Sequence, residues 1–244
     1  NNDLPGIYGA GAVQTLMNLH GVRPGRRVLM VGSGNIGLIV SYQLMQAGVE
    51  VAAVVEALPE IGGYLVHASK IRRLGVPIYT SHTVKEALGE EGVEQAIIWG
   101  VDENWIGIPG TEKEFSVDVV CLAVGLAPLT ELVWQAGCDM IYVPELGGHV
   151  AVHDENMETS VKGVYVAGDA SGIEEAVTAM LEGRIAGAKA ASVLNPQVRG
   201  RAVKIIAGAR REIEDFRSGP FGEEPRIGKE KIRAQLRLRG KSRL

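Results

Sequence analysis

The sequence predicts an α/β fold built on a doubly wound parallel sheet. Nearly continuous apolar runs alternate with segments of helical period, as expected for parallel strands that are covered on both faces. Glycine is abundant, with 32 residues in 244, and aromatic residues make up only 5%, which favours tight strand–helix turns over an all-β sandwich. A hydrophobic content of 46% is enough for the cores of one or two domains.

The predicted elements follow one another mainly in strand–helix order. They are a short apolar run and a helix at residues 7–21, a strand at 27–31, a helix at 35–46, a strand at 49–55, a helix leading to a strand near 77–80, strands within 93–102 and 114–125, a short helix at 129–137, β structure at 149–169 and a long helix at 173–194. Beyond residue 196 we expect a helical tail that is interrupted by a loop at residues 217–228.

The charge of the chain is divided unevenly between its body and its tail. Residues 199–244 hold 14 Lys and Arg against 6 Asp and Glu, a net charge of +8, while the remaining residues have a net charge of −12. Aromatic residues do not alternate with the basic residues of the tail, so nucleic-acid binding is not expected. We expect the tail to pack on the acidic body or on a partner subunit.

Several other kinds of chemistry are not expected. Cys121 and Cys138 do not have the spacing of a dithiol motif, and the histidines are not spaced as metal ligands. No apolar run reaches the roughly 18 residues of a membrane span, and the first residues lack the basic and apolar segments of a signal peptide. We therefore expect a cytoplasmic protein without a metal site, and we identify no catalytic acid, base or nucleophile.

The clearest local pattern is a glycine motif between an apolar strand and an apolar helix. Gly32, Gly34 and Gly37 form G-x-G-x-x-G, and the next strand ends at Glu56, 19 residues after Gly37. This context predicts a dinucleotide site in which Glu56 accepts hydrogen bonds from ribose hydroxyls and repels a 2′-phosphate, so NAD(H) is expected rather than NADP(H). The alternatives are a glycine turn without a ligand and an exposed acid at a strand end. The expected NAD contacts are Gly32, Gly34, Asn35, Ile36, Gly37 and Glu56.

A second pattern precedes the long C-terminal helix. The stretch TSVKGVYVAGD, residues 159–169, resembles the flavin-binding sequence of the FAD-dependent pyridine nucleotide-disulfide oxidoreductases, and VVCLAVGLAPLTEL resembles the crossing between the two domains of that family. The resemblance implies that Asp169 accepts hydrogen bonds from the ribityl chain of FAD, while the next helix points its N-terminus at the flavin pyrimidine edge. The alternative role for Asp169 is a helix cap. The implied contacts are Gly125, Gly168, Asp169, Ile173, Glu174, Glu175 and Ala176.

The resemblance also implies an order of domains. In the family the NAD domain is inserted within the FAD domain, and LPGIYGAGAVQTLMN at the start of this chain resembles the large subunits of amine and amino-acid dehydrogenases of the sarcosine oxidase, octopine oxidase and hydrogen cyanide synthase type. The implied parts are the end of a first FAD half at residues 1–22, an NAD domain at 23–121, a second FAD half at 122–195 and a basic, helical tail at 196–244. The family's first G-x-G-x-x-G is not found, so we expect another polypeptide or a missing N-terminal segment to complete the FAD domain, and an oligomeric protein.

The function expected from these parts is hydride transfer between NAD(H) and FAD. The resemblance implies a subunit or fragment of an amine or amino-acid dehydrogenase, and an isolated chain whose FAD site is incomplete could be inactive. Without a dithiol, electrons would pass from the flavin to a quinone, a partner flavoprotein or oxygen. The alternative is a dinucleotide-binding subunit without catalytic activity that scaffolds a complex or senses redox state.

Overall fold

A computed structural model describes residues 1–219 and 222–242 of the chain. The chain divides into two compact units, Asn1–Val124 and Gly125–Leu244. None of the helices in the described part has the length and apolar character that a membrane span requires.

The first unit is an α/β structure with two sheets. Its elements are β1 (Ile7–Gly9), α1 (Ala10–His20), β2 (Arg27–Val31), α2 (Asn35–Gln46), β3 (Glu50–Val55), α3 (Leu65–Arg73), β4 (Ile78–Tyr79), β5 (His82–Leu88), β6 (Gln95–Gly100), β7 (Lys113–Ser116) and β8 (Val119–Leu122). Five strands form a parallel sheet in the order β1-β8-β2-β3-β4. The predicted α/β class with a parallel sheet is confirmed.

The two faces of this parallel sheet have different covers. One face packs against Val13, Leu38 and Ile71, which α1, α2 and α3 supply. The other face packs against the antiparallel sheet β5-β6-β7 through apolar side chains such as Ile98. The sequence does not predict β5, because Ala87 is the only side chain of this strand that is buried. The sheet is therefore covered on both faces, as the apolar strands predict, by helices on one face and by strands on the other.

The sheet register places the predicted dinucleotide motif at the carboxyl end of the central strands. Val31 pairs with Val55 of β3 and with Leu122 of β8, so the three central strands end together. The backbone remains paired beyond the strands, since Gly32 N donates to Val55 O over 2.7 Å. The carboxyl ends of these strands thus bring the glycine turn and the acid after β3 to the same place.

The second unit consists of helices around one short strand pair. Its helices and strands are α4 (Glu131–Gln135), β9 (Met140–Val143), β10 (Gly148–Ala151), α5 (Ala176–Leu194), α6 (Arg199–Arg217) and α7 (Glu223–Ser242). β9 and β10 are antiparallel. The long helix starts at Ala176, three residues after its predicted start at Ile173. Of the β structure predicted at residues 149–169, β10 covers the start, and the rest of this range forms isolated bridges, one of them between Glu158 and Tyr165.

The basic tail is helical and packs on acids of its own unit. Arg217 pairs with the buried carboxylates of Glu174 and Glu182, and Lys231 pairs with Glu145. In the described part, the tail thus forms the helices α6 and α7, and its basic side chains contact acids that precede residue 199. The predicted loop at residues 217–228 is shorter in the structure, because α7 already begins at Glu223. The parts of these predictions that concern residues 220, 221, 243 and 244 lie outside the described residues.

Candidate functional site

The glycine motif of the first unit is shaped by close backbone approach. A Cβ added at Gly37 would lie 2.1 Å from Gly32 O, and one at Gly32, where φ is +105°, would lie 2.2 Å from Ala123 O. Among the described residues, apart from its two chain neighbours, nothing lies within 4 Å of a Cβ built at Gly34. The outer two glycines are therefore required by packing, whereas the middle one leaves open space beside the backbone. A pyrophosphate needs such space.

The start of α2 supplies polar groups next to this space. Gly34 is the N-cap, and no side chain in the described part caps the helix. Asn35 uses its side-chain oxygen to accept a hydrogen bond from Tyr64 N over 2.8 Å, and Ile36 is 41% exposed. The backbone N–H groups of the first turn and the positive end of the helix dipole thus remain as the features that suit an anion.

Glu56 is held against the glycine turn. Its Oε2 accepts hydrogen bonds from Ser33 N over 2.9 Å and Ser33 Oγ over 2.7 Å, and its Oε1 accepts one from Leu58 N over 3.0 Å. The side chain is half-buried rather than fully exposed at the strand end, and its role towards NAD stays a prediction. Because a carboxylate has about four acceptor positions, it retains capacity for a ribose hydroxyl.

A loop that the sequence reasoning missed lies across the same turn. Gly62 N donates to Ser33 Oγ over 3.2 Å, and Gly63 N donates to Ser33 O over 2.9 Å. A Cβ at Gly63 would lie 2.9 Å from Asn35 N. The adjacent glycines in EIGGY were the available signal, since paired glycines often mark close backbone contacts. Ser33, Gly62 and Gly63 therefore belong to the surroundings of the candidate NAD site.

The flavin-like sequence of the second unit ends in a tight turn. Gly168–Ser171 is a 3₁₀ turn in which Gly168 has φ of +67° and Asp169 is exposed. Among the described residues, the Asp169 carboxylate has no hydrogen-bond partner, and it caps neither this turn nor α5. The geometry gives the capping alternative no support, and the carboxylate is available to hydroxyl donors.

The residues after this turn are not helical, although the sequence predicts a helix from Ile173 onward. Ile173 N donates to Leu146 O over 3.0 Å, and Glu175 is the N-cap of α5, so the helix begins only at Ala176. Glu174 is therefore not an acid of the first helical turn. Its Oε1 lies 2.6 Å from a guanidinium nitrogen of Arg217 and 3.6 Å from Lys229 Nζ, so it pairs with two cations of the tail.

A buried ionic network lies beneath the turn. Glu182 and Lys229 are 3% and 4% exposed, and their charged atoms are 2.8 Å apart. Burial acts to raise the pKa of Glu182, but the charge and hydrogen bond of Lys229, with a further hydrogen bond from Ser171 and the charge of Arg217, lower it below its ordinary value. The sequence does not predict this network, because the partners of Glu182 lie far away along the chain, in the tail.

His153 lies next to this network. Its Nδ1 is 2.9 Å from Asp154 O, while its Nε2 has no partner among the described residues. It lines a cavity of about 630 Å³ that residues of α5, α6 and α7 also line. Burial, followed by the charge of Lys229, lowers the pKa of His153 to about 4, although the Asp154 carbonyl and the charge of Glu182 act to raise it. The imidazole is therefore neutral near pH 7.

Gly125 is the first residue of the second unit. It has φ of +140°, a conformation that favours glycine, and a Cβ built there would have open space around it in the part of the chain that the structure describes. Its predicted approach to a cofactor or hinge stays a prediction. The other predicted residues fall into two groups. The glycine turn at residues 32–37 with Glu56, the first corner, lies in one unit, and the residues around Asp169, the second corner, lie in the other.

The cysteines do not offer redox chemistry. Cys121 and Cys138 are both free and buried. Burial raises the pKa of the Cys121 thiol to about 12, which suppresses the reactive thiolate. The thiol of Cys138 lies 3.2 Å from Thr159 Oγ1. In the described part, the arrangement supports cofactor binding rather than thiol chemistry.

Known proteins resemble this chain over most of its length. It is 32% identical to one of the subunits of the opine oxidase of Rhizobium meliloti (strain 1021), over 75% of this chain and 43% of that protein. It is 30% identical to hydrogen cyanide synthase subunit HcnB of Pseudomonas aeruginosa, again over 75% of this chain and 43% of the relative. The chain thus spans less than half the length of these curated relatives.

Structural similarity agrees with these relatives. The thioredoxin reductase of T. acidophilum shares the fold with a TM-score of 0.61 and 23% sequence identity, over 78% of this chain and 59% of that one. The family description "Pyridine nucleotide-disulphide oxidoreductase" matches residues 4–183. The match confirms the predicted resemblance. FAD and a pyridine nucleotide, which were also predicted, are the cofactors of this class. The chain belongs to the pyridine nucleotide-disulphide oxidoreductases.

Proposed function

We propose that this chain supplies the NAD(H) site and the ribityl end of the FAD site in an oxidoreductase that transfers hydride between the two cofactors. The observation that carries the proposal is the first corner, where Gly34 leaves room for a pyrophosphate and Glu56 is held beside it. Bound FAD supplies the hydride-accepting ring. The chain's own residues bind and orient the cofactors, and no protein acid or base is needed for the transfer.

Each corner has a separate role in this proposal. The first turn of α2, with Asn35 and Ile36, offers backbone N–H groups to the NAD phosphates, and Glu56 accepts the ribose hydroxyls. A 2′-phosphate would meet the charge of Glu56, which favours NAD(H) over NADP(H). In the second unit, Asp169 accepts ribityl hydroxyls, and the N-terminus of α5 at Ala176 stabilises negative charge on the reduced flavin.

The biological setting is proposed from the relatives. The opine oxidase relative and hydrogen cyanide synthase HcnB are both named as subunits, which supports a place in a multi-subunit amine or amino-acid dehydrogenase. These relatives are longer than this chain, and we assign the pyrophosphate of FAD to another polypeptide or segment. The electrons then leave the flavin for a quinone, a partner flavoprotein or oxygen.

The proposed flavin role is tested at Asp169. We expect Asp169→Ala to lower the FAD occupancy of the protein without lowering its thermal stability, because the carboxylate has no partner in the described structure. Glu131→Ala is the matched control, since it removes an exposed acid from the same unit. Occupancy is read from the flavin absorbance per polypeptide after gel filtration. The assembly that holds flavin is used, because this chain is assigned only the ribityl end of the FAD site. Equal occupancy there in the wild type and both variants would remove Asp169 from the flavin site.

A further inference from the structure

The last helix of the chain reaches back to the turn that carries Asp169. Lys229 of α7 is 4% exposed, and its Nζ donates to Ser171 O over 3.1 Å and to Ser171 Oγ over 2.9 Å. These residues are 58 positions apart in the sequence. The tail therefore forms direct, buried hydrogen bonds to the flavin-like turn.

Glu182 joins the same contact from α5. Its Oε2 accepts hydrogen bonds from Gly168 N over 3.1 Å and from Ser171 Oγ over 2.6 Å, and its Oε1 lies 2.8 Å from Lys229 Nζ. One carboxylate thus binds both ends of Gly168–Ser171, and the lysine binds that carboxylate. Since Asp169 lies between these two ends, its backbone is fixed on both sides.

A second, apolar contact follows the same route. Leu146 is fully buried, and its side chain lies 2.9 Å from a Cβ built at Gly172 and 2.5 Å from one built at Gly228. Gly228 therefore lets α7 approach Leu146, while Leu146 supports the chain just after the turn. Leu146 O also accepts the hydrogen bond from Ile173 N over 3.0 Å. The tail thus supports residues 168–173 through two adjacent residues of α7.

The charges in this network balance one another. Arg217 and Lys229 face Glu174 and Glu182, and all four side chains are largely buried. Buried charges of this kind are costly to separate, because removal of one partner leaves another without compensation. Lys229 is therefore held in its position rather than free to move between tail conformations.

We propose that Lys229 is a positioning residue of the flavin site. Through Ser171 and Glu182 it fixes residues 168–173, so that the Asp169 carboxylate is presented to the ribityl hydroxyls. The basic tail is then an internal support of this site and not an arm for nucleic acid. The flavin part of this inference rests on the proposed function, whereas the support of the turn by Lys229 does not.

The experiment compares Lys229→Met with Lys231→Met. Lys231 is on the same helix, but its ion pair with Glu145 is at the surface, with the lysine side chain 47% exposed. Hydrogen exchange is measured for residues 168–173 in the protein without flavin, followed by the FAD dissociation constant. We expect Lys229→Met to raise exchange in this segment about tenfold or more and to weaken FAD binding about tenfold, with no change in Lys231→Met. Unchanged exchange in Lys229→Met overturns the proposal.

A double variant separates positioning from the effect of an unpaired buried charge. Lys229→Met combined with Glu182→Gln removes one charge of each sign and keeps an acceptor for Gly168 N. We expect it to recover thermal stability while exchange at residues 168–173 and the FAD dissociation constant stay raised. Recovery of wild-type exchange and affinity contradicts a positioning role. A wild-type protein that takes up no FAD even when assembled with the part that completes the FAD site refutes the proposed function and the flavin part of this inference, while exchange alone still decides whether Lys229 holds the turn.

Discussion

The two strand-to-helix corners of the chain are built in different ways. At the first corner, Gly32 and Gly37 contact backbone atoms closely, and Glu56 bonds to the turn from the end of the next strand. At the second, the turn around Asp169 is held by Glu182 and by Lys229 from the tail. The first corner is shaped mainly by the absence of side chains, and the second by buried charges.

This difference determines how each corner responds to change. A steric corner tolerates no added atoms at its contact points, and its shape depends on close backbone contacts more than on charge. A corner held by an ionic network tolerates some changes in shape, yet it depends on the protonation of the buried groups. Mutation and pH should therefore separate the two corners.

The largest effect is expected from an added methyl group at Gly37. Gly37→Ala adds a Cβ that would lie 2.1 Å from Gly32 O. Because the structure must shift to relieve this clash, we expect the free energy of unfolding of the first unit to fall by about 3 kcal/mol. Gly34→Ala is the matched control, because its Cβ meets no other heavy atom within 4 Å. That variant should keep its stability and bind NADH about tenfold more weakly. Chemical unfolding and NADH titration measure both, and equal stability of the two variants would contradict the steric account.

The next effect is a pH dependence that belongs to the second corner. The pKa of His153 is lowered from 6.5 to about 4, so the unfolded chain binds a proton that the folded chain excludes between these values. Stability from this group is present above pH 6.5 and is lost as the pH falls through 4, by about 3 kcal/mol. The lowered pKa of Glu182 adds a further loss only below its ordinary value, at more acidic pH.

Replacement of His153 isolates this contribution. We expect His153→Asn to flatten the pH dependence of the unfolding free energy between pH 6.5 and 4.5, whereas His149→Asn, which replaces an exposed histidine of the same unit, should leave it unchanged. Lys229, Glu182 and Asp154 influence His153 and stay the same in both variants. The same slope in His153→Asn as in the wild type would contradict the assignment.

The smallest expected effect concerns Glu56. Glu56→Ala should weaken NADH binding by about 1–2 kcal/mol, because it removes charge-assisted hydrogen bonds to the ribose. Glu60→Ala is the control, since Glu60 is an exposed acid four residues later. NADPH should gain affinity relative to NADH in Glu56→Ala. Isothermal titration with both nucleotides measures the change, and an unaltered NADH affinity would place Glu56 outside the site.

The same difference explains how much the sequence predicts. The first corner lies within one strand–helix–strand segment, so β2, α2 and the position of Glu56 follow from local spacing, and the observed bounds of both elements agree with the prediction. The loop with Gly62 and Gly63 was missed, because its contacts to the turn depend on the path of the chain after β3.

The second corner is predicted only in part. The sequence around Asp169 indicates the turn, but the start of α5 is misplaced, since Ile173 and Glu174 bond outside the helix to Leu146 and Arg217. No local pattern identifies Lys229, whose partners are many residues away. The strand β5 was missed for a related reason, as a mostly polar strand that depends on its neighbours for pairing.

The most direct test of the proposed function is an anaerobic titration of the FAD-loaded protein with NADH. We predict that the visible absorbance bands of oxidised flavin decrease as NADH is added, with about one equivalent of NADH needed per flavin, because each hydride carries two electrons. NADPH should be less effective. The titration uses the chain together with the part that completes the FAD site. Bound NADH that leaves the flavin of this assembly oxidised would contradict hydride transfer and favour the scaffold alternative.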